Sequence, residues 1–133
     1  MRLLLDTHIW LWYLLEPRRL SAGVIESMDA ADSELWLSPV SIWELLLLAE
    51  RGRFTTPGAG GARKWIDQAL TELPLRDAPL TREVALRGQM IRIEHRDPAD
   101  RFLAATAAAY DLVLVTSDEP LLRGEGYRTL ANR

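Results

Sequence analysis

Two short, wholly apolar runs constrain this chain more than any other feature. Residues 3–5 are three leucines that end on Asp6, and residues 112–115 are an unbroken aliphatic run that leads into Thr116, Ser117 and Asp118. A strand exposed on one face alternates apolar with polar residues. A run without alternation reads as a strand buried on both faces. Longer segments with helical signals separate these runs, and strands alternating with helices imply an α/β fold with an open, mostly parallel sheet covered on both sides.

The helix signals are local. The spacing predicts a helix from Thr7, which can cap it, through Leu15, with Pro17 as its stop. Ser21 opens a second helix to about Ala31, and residues 35–37 form a second strand. Ser38 before Pro39 and Asp97 before Pro98 are cap-then-proline pairs, each placing an oxygen acceptor at the N-cap and proline at the first helical position. The helix after Ser38 ends near Arg51 and Gly52, and residues 55–61, TTPGAGG, read as a connecting loop, with a substrate lid as the alternative. Further helices are expected over about 62–73, from Thr81 onward, and from Asp97 to Tyr110, with a last short strand near 127–130. One domain of 133 residues suits this pattern.

Composition excludes whole classes of chemistry. With no cysteine there can be no disulfide, thiolate metal site or thiol nucleophile, so reactive groups must be oxygen or nitrogen. The apolar stretch at 3–15 is broken by Asp6 and His8 and followed at once by Glu16, Arg18 and Arg19, unlike a signal peptide. No run reaches the roughly 20 apolar residues of a membrane span, so no membrane role and a cytoplasmic location are expected.

Four acids stand apart from the solvated charge: Asp6, Glu44, Asp100 and Asp118. Each follows or interrupts apolar sequence, where an ionised carboxylate is costly unless compensated. Glu44 lies in a helix that is apolar nearly all round, among Ile42, Trp43 and residues 45–48. Asp6 and Asp118 fall just past strand ends, where open parallel sheets bind ligands. Each acid also has a plain structural reading: Asp6 as a helix cap, Asp118 as a turn with Glu119 and Pro120, Asp100 as a partner of Arg96 or Arg101 or of the helix dipole. Converging carboxylates without basic partners usually hold a metal. Setting the four aside turns a net charge of −3 into 16 basic against 15 acidic residues, and 15 of the basic residues are arginine, whose planar fork suits phosphate.

LLLDT at Asp6, SxxSxWEL around Glu44, HRDPADRFLAATA around Asp100 and LVTSD at Asp118, in that order and spacing, resemble the PIN-domain ribonucleases, in particular the VapC-type toxins of toxin-antitoxin pairs. The resemblance covers nearly the whole chain. It implies a three-layer α/β/α sandwich around a mostly parallel sheet and places the family's acidic quartet on Asp6, Glu44, Asp100 and Asp118. Thr116 and Thr7 are implied as supporting hydroxyls, and Asp97 as the first acid of a DPxDR pattern.

Phosphodiester hydrolysis requires an activated water, charge relief on the phosphoryl oxygens and a stabilised leaving oxygen. One or two Mg2+ or Mn2+ ions on oxygen ligands can supply all three. The resemblance therefore implies an endoribonuclease with Mg2+ or Mn2+ as cofactor, an RNA substrate and a cognate antitoxin partner, held inactive when that partner places an arginine among the four acids. A homodimer is expected, because the helices around Trp10, Trp12 and residues 45–48 carry more apolar surface than one sheet should cover. The tryptophans at 10, 12, 36, 43 and 65 could line a partner surface, with most of them read as core. His8 and His95 are read as structural, with proton donation as the alternative.

Other readings fit less well. A phosphotransferase of the haloacid dehalogenase kind needs a second Asp where His8 stands, and a receiver domain needs a lysine near its last strand, whereas Lys64 is mid-chain. A non-catalytic PIN-like module that binds RNA or protein remains the alternative from another class, distinguished by metal-dependent turnover of single-stranded RNA.

Overall fold

A computed structural model of the chain describes residues 1–94 and 97–133. Five strands form one sheet: β1 (Arg2–Leu5), β2 (Glu34–Leu37), β3 (Arg76–Asp77), β4 (Val113–Thr116) and β5 (Arg128–Ala131). Their order is β3-β2-β1-β4-β5, and every pairing is parallel. β1 is therefore the middle strand, with Leu3 registered against Leu35 on one side and Val113 on the other.

Side-chain alternation along the strands divides the core into two layers. Leu3, Leu5, Leu35, Leu37, Val113 and Val115 face α1 (Thr7–Leu15), α2 (Ala22–Asp29), α3 (Pro39–Glu50) and α4 (Gly61–Glu72), meeting Ile9, Trp10, Val24, Met28, Leu45, Ile66 and Ala69. On the opposite face Leu4 and Leu114 meet Val84 of α5 (Arg82–Gly88), Leu103, Ala104 and Ala107 of α6 (Pro98–Tyr110), and Leu121 of α7 (Glu119–Arg123). This is the expected three-layer sandwich. The leucines of β1 are wholly buried because helices cover both sides, and each such side chain contributes roughly 1.5–3 kcal/mol.

Local chemistry sets the helix starts. Ser38 Oγ accepts from the Val40 N–H at 3.1 Å, Asp97 Oδ1 from Ala99 at 3.0 Å and Thr81 Oγ1 from Val84 at 3.2 Å. α4 begins after Gly60 at φ 107°, a left-handed conformation that suits glycine and ends the 55–61 loop.

Several expectations need correction. Thr7 does not cap α1: Asp6 holds the extended N-cap position and Thr7 is the first helical residue, its hydroxyl turned elsewhere. The β4 strand runs one residue later than the apolar run, because Thr116 still pairs with Ala131. The short edge strand β3 and the five-residue α7 had no sequence signal strong enough to read. Trp10 and Leu45 are fully buried, so they contribute nothing to the apolar surplus from which a homodimer was inferred. Among the described residues, no helix is long and apolar enough to cross a membrane.

Candidate active site

The parallel sheet delivers β1 and β4 side by side in the same direction, so Asp6 and Asp118 emerge at the same carboxyl edge. Asp6 is only 9% exposed and is held at both oxygens. Oδ1 accepts from the Thr7 N–H at 2.8 Å, and Oδ2 accepts from the Thr116 hydroxyl at 2.7 Å. Burial pushes the Asp6 carboxyl above its ordinary value and the nearby Asp118 charge adds to this, while the Thr116 and Thr7 hydrogen bonds and His8 oppose it.

Thr7 and Thr116 are the joints of this arrangement. The Thr7 hydroxyl donates to Glu44 Oε1 at 3.0 Å, linking α1 to α3, while the Thr116 hydroxyl also accepts from the Asp118 N–H at 3.0 Å. A continuous chain of hydrogen bonds thus runs Glu44, Thr7, Asp6, Thr116, Asp118. Glu44 is half-buried, and its carboxyl is pushed up to about 7, chiefly by burial, against the Thr7 hydrogen bond and with a contribution from the Asp6 and Asp97 charges.

Asp100 is buried in the first turn of α6, while Asp97, the cap of that helix, is exposed. Asp100 and Asp118 both act on Tyr127, whose phenol is pushed up to about 12 mainly by burial and then by these two charges. All four predicted acids therefore lie on one connected electrostatic system, and Asp97 borders it through Glu44. His8 is exposed and tilts against Trp12, with ring centroids 5.7 Å apart; His95 lies outside the described residues.

Sequence reasoning missed Asn132. Its Oδ1 accepts from the Ser21 N–H at 2.7 Å, and its Nδ2 donates to the Ser117 hydroxyl at 2.9 Å and to the Arg19 carbonyl at 3.1 Å. Its own N–H donates to the Thr116 carbonyl at 2.9 Å, so it fixes the turn that presents Asp118. A lone Asn near the end of the sequence carries no spacing signal that could have revealed this. Tyr127 was missed for the same reason.

The donors gathered here are oxygens, and among the described residues no basic side chain ion-pairs with Asp6 or Glu44, which is the donor chemistry of a hard cation. Among the described residues, no three acidic or imidazole side chains already surround one point. Like charges left together repel, which favours side chains held apart.

Fold and site together define a class: an α/β/α sandwich whose carboxylates gather at the carboxyl edge of a parallel sheet. The PIN domain family matches residues 3–125, and this chain belongs to that family. It is 34% identical over 119 residues to Ribonuclease VapC22 of Mycobacterium tuberculosis, covering 89% of this chain and 88% of that protein. In fold it is similar to VapBC2 from Rickettsia felis, solved bound to a promoter DNA fragment, with a TM-score of 0.72 at 14% identity over 98% of each chain. A member of the VapBC family of toxin-antitoxin systems, VapBC-5 of Mycobacterium tuberculosis, superposes with a TM-score of 0.62 at 16% identity, again over 98% of each chain.

Proposed function

We propose that this chain is an endoribonuclease, the toxin of a toxin-antitoxin pair, and that Asp6, Glu44, Asp100 and Asp118 hold a divalent cation, Mg2+ or Mn2+. The carrying observation is Asp6 itself. A buried carboxylate fixed at both oxygens beside a second strand-end acid, and one step from a half-buried glutamate, is unfavourable by itself and becomes favourable with a cation. A relative named as a ribonuclease and similar structures described as toxin-antitoxin complexes support the same reading. Divalent-metal dependence is general among PIN-domain VapC ribonucleases.

When bound, the cation supplies charge relief at the phosphoryl oxygens and lowers the pKa of water. The residues supply position. Thr116 and Thr7 fix the orientation of Asp6, so its oxygens do not have to be ordered when substrate arrives. Asp118 and Asp100 add carboxylates from β4 and α6. Glu44, with Oε1 engaged by the Thr7 hydroxyl, adds a carboxylate from α3 that holds the cation or orients the attacking water.

The test is cleavage of a single-stranded RNA pool by the purified chain with Mg2+, with Mn2+ and in EDTA, beside Asp6→Asn. Cleavage that needs metal and disappears in the variant is expected. Cleavage that persists in EDTA rejects the metal, and no cleavage under any condition rejects the nuclease. Co-expression with the neighbouring reading frame should yield a complex in which cleavage is suppressed.

A further inference from the structure

Five tryptophans serve two different purposes here. Trp10 is wholly buried. Trp12 lies under the Arg19 guanidinium, Trp36 has the Arg2 and Arg76 guanidiniums over its ring and tilts against Tyr110, and Trp65 packs edge-on to Phe54. Trp43 is 57% exposed and adjoins Glu44 in the sequence of α3. An indole presented to solvent beside a catalytic acid has no packing explanation.

Its surroundings are those of a nucleic-acid subsite. Trp43 and Leu47 lie four residues apart on one face of α3, with Glu44 and Leu48 on the adjoining stripe, and Arg51 is the residue that ends the helix. These five residues, with Asp97 and Ala99, line a concavity of 340 Å³. Glu44 of the proposed site and Asp97, the cap of α6, thus form one wall, the indole and Leu47 an apolar surface, and Arg51 the cationic end. Among the described residues, Arg51 makes no ion pair. An aromatic plane and an arginine along one groove match the base and a neighbouring phosphate of an unpaired nucleotide.

We infer that Trp43 is a stacking platform for a nucleobase flanking the scissile phosphate, with Arg51 holding a neighbouring phosphate. The inference rests on the nuclease reading above and adds to it the residue that grips the substrate beside the acids, Trp43, by stacking on an unpaired base. A base inside a duplex does not offer its face, so paired RNA is disfavoured. Because every base has a π-face, Trp43 selects single strands more than sequence.

The test measures binding in EDTA, where the proposed nuclease does not turn over, by fluorescence anisotropy. The probes are a 12-nucleotide single-stranded RNA pool, the same length as a duplex, and an abasic ribose-phosphate 12-mer. Trp43→Ala should weaken pool binding roughly 5- to 150-fold, the range for loss of one stacked aromatic, and leave the abasic probe unaffected. Trp43→Phe should recover most of the loss, and Trp43→Leu, which keeps apolar area without a π-face, should recover little. Arg51→Ala should weaken both single-stranded probes and reduce the salt dependence of binding. Equal affinity of Trp43→Ala and the original chain for the pool overturns the platform while leaving the nuclease reading intact. Loss of antitoxin binding with RNA binding unchanged also overturns it, in favour of a protein-docking role. An original chain that neither binds nor cleaves the pool overturns both readings.

Discussion

Replacing Glu44 with glutamine separates the electrostatic cost of the site from its chemistry. The carboxyl is raised from 4.5 to about 7, chiefly by burial. Folding therefore disfavours the ionised form. At full weight this corresponds to roughly 3 kcal/mol, and because Glu44 is only partly enclosed, screening by water reduces it to roughly 1–2 kcal/mol. A folded pKa above the unfolded one gives a definite sign. The favourable contribution is complete below pH 4.5 and is lost as pH rises through about 7, so at pH 8 the native state carries the full penalty. Glutamine keeps an acceptor for the Thr7 hydroxyl and has no charge. In EDTA at pH 8, Glu44→Gln should therefore be more stable than the original chain, with a melting temperature higher by about 3–8 °C. That gain should shrink between pH 7 and 4.5 and vanish below. Mg2+ or Mn2+ should diminish it at pH 8 by stabilising the original carboxylate, while cleavage by the variant falls by roughly 100-fold or more. A difference in melting temperature that stays constant from pH 4 to pH 8 would refute burial as the cause of the raised carboxyl.

Asp6→Asn should abolish metal-supported cleavage while apo stability stays equal or rises, read by a nuclease assay beside thermal melting; an active variant would remove Asp6 from the site. Thr116→Val leaves Asp6 Oδ2 and the Asp118 N–H without their shared partner, so it should cost about 1–3 kcal/mol in urea denaturation and lower kcat. Asp97→Ala should cost about 1 kcal/mol as a lost helix cap, whereas Asp100→Ala should cost activity; an inactive Asp97→Ala at full stability, with an active Asp100→Ala, would exchange the two roles. Asn132→Ala removes three side-chain hydrogen bonds around the Asp118 turn. It should raise the metal concentration needed for half-maximal cleavage, which a purely structural role at the chain end would not change.

What the sequence determined by itself was whatever depends on neighbours along the chain. Three leucines without polar alternation, cut short by Asp6 and a helix start, read as a strand covered on both faces, and Ser38-Pro39 and Asp97-Pro98 each bring their own acceptor and preset φ, so those elements were legible with their starts. Asp6, Glu44 and Asp118 stood out because a carboxylate in apolar sequence is costly wherever the chain folds, whereas Asp100, set among charged residues, was singled out by the family pattern. Position across the sheet was decided only by tertiary structure. Asp6 rather than Thr7 caps α1, and the Thr7 hydroxyl donates instead to Glu44, 37 residues further along. Asn132 matters because β5 runs parallel to β4 and brings the end of the chain back to the Thr116 carbonyl, and nothing local to Ala131, Asn132 and Arg133 encodes that. Trp43 and Trp10 are the same residue type in similarly apolar helices, and only packing decided that one is core and the other faces solvent beside the acids. Hydrogen bonding and burial between distant segments depend on which surfaces the sheet brings together, and that is settled by the cooperative packing of both layers rather than by any single stretch of sequence.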